Sequence, residues 1–192
     1  EGKIQCYDQI ENVVKKYAEQ INCFSNGYRD LSNIGKRYGS GEAKLIHCEL
    51  LDSTGNNTNE FIMGEQMKIR FSFVTYQQLK FNLAVQVYRY DNVPAYCLLS
   101  CCNSSEKIEN QLQTYEITIP EVNLFPAMYF IKIGITSLSN SLYDFIDPAV
   151  NFNILPSENT NNILLNPNTG LIDVKNYWKK LEINHNVCRC NQ

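Results

Sequence analysis

Few residues in this chain carry the chemistry of an enzyme. There are 2 histidines, His47 and His185. His47 falls inside an alternating, strand-like run, where an imidazole is expected to be structural, and no G-x-S-x-G elbow accompanies it. His185-Asn186-Val187-Cys188-Arg189-Cys190 could offer three metal ligands. A fourth is missing nearby and the segment stands at a chain end, so a plain tail is the expectation. Gly39-Ser40-Gly41-Glu42-Ala43-Lys44 lacks the G-x-x-x-x-G-K-[ST] spacing of a phosphate loop. Carboxylates are scattered, without the paired placement a glycosidase requires. No catalytic residue, metal or cofactor is expected.

A second set of residues suits recognition rather than reaction. Asn82, Gln86 and Tyr88 share one face of the alternating run 81–90, and Phe130, Lys132 and Thr136 share one face of the run 128–136. Together they combine amides, hydroxyls and rings with a single charge, which makes a semi-apolar but polar surface. The run Lys68, Arg70 and Ser72, joined by Glu116 and Thr118, reads instead as a solvated, salt-bridged face. Each feature of the first face also has a plain structural reading. Cross-strand aromatic pairs stabilise ordinary sheets, and a lysine can snorkel along an apolar neighbour. Gly134, in mid-strand between Lys132 and Thr136, is either a bulge or room for a ligand. Tyr90 and Tyr96 are second-rank candidates that could equally be rim packing.

Positioning these side chains requires strands. Asp8 with Glu11 has capping-box spacing, and Ile10, Val13, Val14, Tyr17 and Ile21 form one helical stripe that should end near Asn22. Residues 25–41 carry four glycines (Gly27, Gly35, Gly39 and Gly41) and read as a linker. From Glu42 the period changes from 3.6 to 2. Strands are expected over 44–51, 67–73, 81–90, 93–100, 114–119, 128–136 and 149–155, with turns at Asp52–Asn56, Asp91-Asn92 and Asp147-Pro148 and a polar loop over 103–111. Such a series, with no βαβ alternation, implies an all-β, antiparallel two-sheet sandwich. The boundaries are 1–24 for the helix, 25–41 for the linker, 42–156 for the sandwich and 157–192 for a C-terminal strand and tail. The apolar run Leu171-Ile172-Asp173-Val174 in that tail is expected to add to a sheet edge, with a second subunit as one host.

Composition bounds the rest. The 192 residues are 44% hydrophobic with 9 Phe and 12 Tyr, enough to build a core without staples. A net charge of −3 with no basic block argues against nucleic acid. No apolar stretch is long enough for a transmembrane helix. The 8 cysteines include the vicinal pair Cys101-Cys102, poorly suited to a disulfide, so reduced thiols in a cytoplasmic protein are expected. Two N-x-[ST] sequons, Asn56-Asn57-Thr58 and Asn103-Ser104-Ser105, are what chance gives in so Asn-rich a chain. The first residue is Glu1, as expected of an excised domain or a processed product.

Several short motifs, in order and spacing, carry a family resemblance. They are Arg37-Tyr38-Gly39-Ser40-Gly41-Glu42-Ala43, Glu49-Leu50-Leu51-Asp52 with the Gly55 turn, and Phe61-Ile62-Met63-Gly64-Glu65. Ile119-Pro120, Leu124-Phe125-Pro126-Ala127-Met128-Tyr129, and Gly170-Leu171-Ile172 with Trp178 follow. Together they resemble the C-terminal domain of Wzt-type proteins, the ATP-binding subunits of ABC transporters that export bacterial O-antigen polysaccharide. Tyr7-Asp8 through Tyr17 is similar to the helix closing the preceding nucleotide-binding domain. Ala127 stands where a glycine is usual, and Asp91-Asn92 replaces an Asp-Gly hairpin.

The resemblance implies a jelly-roll or immunoglobulin-like carbohydrate-binding sandwich without catalysis. It implies binding of the modified non-reducing end of the polysaccharide, at the cytoplasmic side of the inner membrane, coupling chain completion to export. Its implied partners are a second copy of the chain, through an exchanged C-terminal strand, and the transporter's transmembrane subunit. A sugar offers hydroxyls for hydrogen bonds and C–H patches for ring faces. The expected glycan site is therefore Asn82, Gln86, Tyr88, Phe130, Lys132 and Thr136, with Lys132 as counter-charge should the cap be acidic. The rivals are a secreted structural or adhesive sandwich and a jelly-roll glycan-modifying enzyme.

Overall fold

Eight strands between Ala43 and Leu155, most with alternating apolar residues, and one short strand ahead of them make up the computed structural model, which describes residues 25–100, 112–157 and 170–174. The strands are β1 (Tyr28–Asp30), β2 (Ala43–Leu51), β3 (Glu60–Ile62), β4 (Met67–Thr75), β5 (Asn82–Arg89), β6 (Pro94–Ser100), β7 (Leu112–Ile119), β8 (Ala127–Thr136) and β9 (Leu142–Leu155). They form a four-stranded sheet, β1-β2-β4-β7, and a five-stranded sheet, β3-β9-β8-β5-β6. The expected N-terminal helix, the 103–111 loop, Trp178 and the Cys188–Cys190 region lie outside the described residues.

The inward faces make one core. Leu45, Leu50, Ile69, Phe71 and Phe73 from the first sheet meet Val85, Val87, Ile131, Ile133 and Phe152 from the second, all essentially buried. Each such side chain contributes roughly 1.5–3 kcal/mol through burial. An edge-on contact joins Phe73 to Phe81, with ring centroids 5.2 Å apart. On the outer face of the first sheet Arg70 bonds Glu116 at 2.7 Å and Glu49 at 3.1 Å, the expected salt-bridged surface. His47 is structural there: its Nε2 lies 3.1 Å from Ser72 Oγ and its ring stacks on Tyr28.

Four departures from the sequence reading shape the site. First, β3 runs parallel to β9, so the ladder is not wholly antiparallel; the short run 60–62 enters because Phe61 is buried. Second, Asp147-Pro148 is no turn between strands but lies inside β9, joined by a cis peptide bond. A bulge accommodates it: Ile131 pairs with Val150 while Ile133 pairs with Ile146. Pro148 has no N–H to donate, and β3 reaches only Asn153–Leu155, so this stretch has an edge-like side where proline is tolerated.

Third, residues 25–41, read as a linker, are bound to the sandwich. Beyond β1, the amides of Tyr38, Ser40 and Gly41 donate to the carbonyls of Phe145, Leu142 and Tyr143 at 3.1, 3.0 and 2.9 Å. Gly39 has φ 133°, and a Cβ there would stand 2.4 Å from the Tyr143 oxygen. Only glycine permits this approach. Arg37 donates to the Leu31 and Leu45 carbonyls and pairs with Asp144 at 3.1 Å. Burial pushes the Asp144 carboxyl up, against the Leu45 amide and Arg37, which pull it down. Fourth, the tail segment 170–174 pairs within its own chain. Phe125 donates its N–H to Leu171 and Asp173 donates to Asn123, ahead of β8 rather than at a sheet edge.

Candidate functional site

Period-2 alternation on β5 and β8 puts every second side chain on the outer face of the five-stranded sheet. Register then decides which of them meet. Asn82 lies opposite Thr136, Ala84 opposite Gly134, Gln86 opposite Lys132, and Tyr88 opposite Phe130. The six expected site residues thus occupy three rows of one face. On β6, Cys97 extends the Gln86 row and Leu99 the Ala84 row.

The chemistry concentrates at one end. Tyr88 and Phe130 stack with centroids 5.6 Å apart and planes within 15°. The Lys132 ammonium lies 4.0 Å from the Tyr88 centroid and 5.4 Å from that of Phe130, within cation–π range. Lys132 is only 9% exposed. Its Nζ is 2.9 Å from Asp147 Oδ2 and donates to Asn92 Oδ1 at 3.3 Å. An ammonium has three donors, so an ion pair, an amide and a ring face account for them. Lys132, expected as a counter-charge for an acidic ligand, therefore already has its counter-ion.

Asp147 and Asn92 reach Lys132 for identifiable backbone reasons. The β9 bulge opposite Lys132 carries Asp147 toward the ammonium. Arg29, from β1 of the other sheet, donates Nη1 to the Pro148 carbonyl at 2.6 Å and to Ala149 at 3.2 Å, which holds the bend. Asn92 sits in the β5–β6 turn at φ 66°, a left-handed conformation asparagine tolerates. Arg89 and Asp91 clamp the same turn at 2.6 Å.

Beside this cluster opens a groove of about 270 Å³, bounded by Tyr90, Asn92, Met128, Phe130, Asp147 and Pro148. Small-molecule sites start at about 300 Å³, so the groove suits one ring rather than a chain of them. Its wall mixes an apolar strip (Met128, Phe130 and Pro148) with three polar tips, those of Tyr90, Asn92 and Asp147. A second opening of about 380 Å³ lies between the sheets by β6 and β7. Core residues including Phe71, Leu83 and Val85 line it, so it is a seam in the sandwich.

The structure redistributes the candidates. Phe130 belongs to the groove, and Tyr88 stacks on it with the Lys132 ammonium over both rings. Asn82, Gln86 and Thr136 share the face but lie outside the groove. Gly134 offers no space to a ligand, because the Phe145 ring covers it; an added Cβ would sit 3.3 Å from Phe145 Cδ2. Tyr96 pairs with Val87 and so faces inward, whereas Tyr90, half-exposed, edges the groove. Sequence reasoning missed Asn92, Met128, Asp147 and Pro148. The signal available was an Asp-Pro pair inside an otherwise strand-like run, which read as a turn. Among the described residues no group of three or more His, Cys, Asp or Glu could hold a metal ion. No helix there is long and apolar enough to cross a membrane.

Comparison with known proteins adds to this geometry. A family model described as the Wzt C-terminal domain matches residues 35–174. A crystal structure of the C-terminal domain of Wzt is similar in fold, with a TM-score of 0.63 at 16% identity, covering 80% of this chain and 93% of that one. A Niemann-Pick type C2 protein from Japanese carpenter ant gives a TM-score of 0.43 at 14% identity, covering 65% of this chain and 99% of that one. No curated protein sequence matches the chain.

Proposed function

This chain belongs to the Wzt C-terminal domain family, and from that membership we propose that it binds the modified non-reducing end of a bacterial O-antigen polysaccharide without altering it. The observation that carries the reading is the groove beside the Tyr88–Phe130 stack, with Asn92 and Asp147 on its wall. A ring face favours the C–H patches of a sugar, and amide, carboxylate and phenol groups favour its hydroxyls. A cleft sized for one ring suits an end better than the middle of a polymer. The surrounding face, with Gln86, Asn82 and Thr136, offers amides and a hydroxyl to the following residues.

In this reading the domain works as the sensor of an ABC exporter at the cytoplasmic face of the inner membrane, beside the transmembrane subunit. Binding of a completed chain would license export. Two copies in a dimer would place two grooves near the transporter and raise the effective concentration of chain ends, so modest single-site affinity suffices. The bound linker segment, held on β9 two to five residues from Asp147, gives the preceding part of the protein a rigid attachment to the strand that forms the groove.

Calorimetry with the O-antigen polysaccharide of the source organism, prepared with and without its terminal modification, tests the proposal. Capped chains are expected to bind and uncapped chains to bind at least about tenfold more weakly, a difference of about 1.4 kcal/mol. Phe130→Ala and Asn92→Ala should weaken binding, whereas Glu116→Ala, on the opposite sheet, should leave it alone. Equal loss in all three, or equal affinity for both polysaccharides, refutes it.

A further inference from the structure

The groove's charge arrangement says which sugars it admits, an inference that rests on the carbohydrate reading above. Among the described residues lining the groove Asp147 is the one with a charged side chain. It is about one-third exposed, with Oδ2 turned to Lys132. Lys132 is nine-tenths buried and is not one of the residues lining the groove. A ligand therefore meets the carboxylate first and the ammonium only behind it. Two further cations among the described residues are engaged elsewhere: Arg89 on Asp91, and Arg29 on the carbonyls of Pro148 and Ala149.

We infer that the groove selects an uncharged sugar ring, and that Asp147 is the residue that sets this selection. A carboxylate accepts hydrogen bonds from hydroxyls and offers no donor of its own. Asn92, in the groove lining, complements it, since its Oδ1 accepts a hydrogen bond from Lys132 and its amide N–H groups remain to donate to a ligand oxygen. A ring with one hydroxyl directed at Asp147 and one oxygen directed at Asn92 is matched. A ring carrying a carboxylate or phosphate in that place meets a like charge in a partly desolvated groove and is disfavoured. Removing the carboxylate reverses the sign: Asp147→Asn leaves the Lys132 charge unmatched, and the groove turns toward anions.

The test is a glycan array of paired termini, each neutral sugar beside its uronate and its phosphate ester, probed with the full chain. The wild-type protein is expected to favour the neutral member of any pair it binds by about tenfold or more, with no gain for the anionic member at low salt. Asp147→Asn should raise the anionic-to-neutral affinity ratio most, and the double variant Lys132→Met/Asp147→Asn should fall between it and the wild type. Thermal melts establish that the variants are folded, and the wild-type preference is informative without them. Anionic members bound as well as neutral ones overturn the inference while leaving the carbohydrate reading intact. An array on which no glycan is bound overturns both.

Discussion

Replacing Gly39 tests the contact that ties the incoming segment to the sandwich. A methyl group at Gly39 would lie 2.4 Å from the Tyr143 oxygen and 2.8 Å from the Asp144 nitrogen, both backbone atoms that cannot swing aside. In Gly39→Ala the segment must lift off β9. That releases the hydrogen bonds from Tyr38, Ser40 and Gly41, at about 1 kcal/mol each and about 3 kcal/mol together. Gly41 provides the control. It also has a positive φ, 84°, but nothing lies within 4 Å of where its Cβ would be. Gly41→Ala therefore suffers only the left-handed backbone penalty of roughly 1–2 kcal/mol. With a urea slope of about 2 kcal/mol/M, the midpoint should fall by about 1.5 M in Gly39→Ala and about 0.7 M in Gly41→Ala. Hydrogen exchange should accelerate at the Tyr38 and Ser40 amides in Gly39→Ala while the β5–β8 ladder stays protected. Equal midpoints in the two variants, or unchanged protection at Ser40, would refute the reasoning.

Other expectations are simpler. The Tyr96 hydroxyl is buried with no hydrogen-bond partner among the described residues, so Tyr96→Phe should stabilise the protein by up to about 1 kcal/mol in thermal or urea unfolding; a loss of stability contradicts this. Cys97 is exposed and Cys48 buried, and burial together with Glu49 pushes the Cys48 thiol up. Peptide mapping after alkylation of the native protein should find Cys97 modified and Cys48 untouched until denaturant is added. Burial raises the Asp144 carboxyl above its ordinary value. A carboxyl raised in the folded state holds its proton more tightly there, so its contribution is complete below about pH 4 and is lost as pH climbs through the raised value. Asp144→Asn keeps an oxygen for the Leu45 amide, and its stability relative to wild type should rise with pH above about 4; a pH-independent difference speaks against the shift.

Most of the sandwich was legible in the sequence because its determinants are local. Alternation in Met67–Phe73, Leu83–Val87 and Tyr129–Ile135 needs only a two-residue period to mark which side chains turn inward. The same period assigned Asn82, Gln86, Tyr88, Phe130, Lys132 and Thr136 to one outer face, and the register of β5 on β8 brings them together in rows. Short strands escaped: β1 and β3 span three residues each and are held by neighbours remote in sequence. That residues 38–41 lie bound on β9 was not legible because glycines signal backbone freedom equally well in a free joint and in a close approach, and only the proximity of Tyr143 distinguishes them.

What the sequence could not hold was the charge state of the site. Lys132 and Asp147 are separated by a strand connection and a bulge, and no period relates them. Whether that lysine attracts an anion or is silenced depends on an ion pair at 2.9 Å. A bulge in β9, and an arginine reaching across from the other sheet, create that pair. Composition and alternation decide which side chains face water, because that choice is made one strand at a time; pairing between charges depends on distances that exist only after strands far apart in the chain have packed.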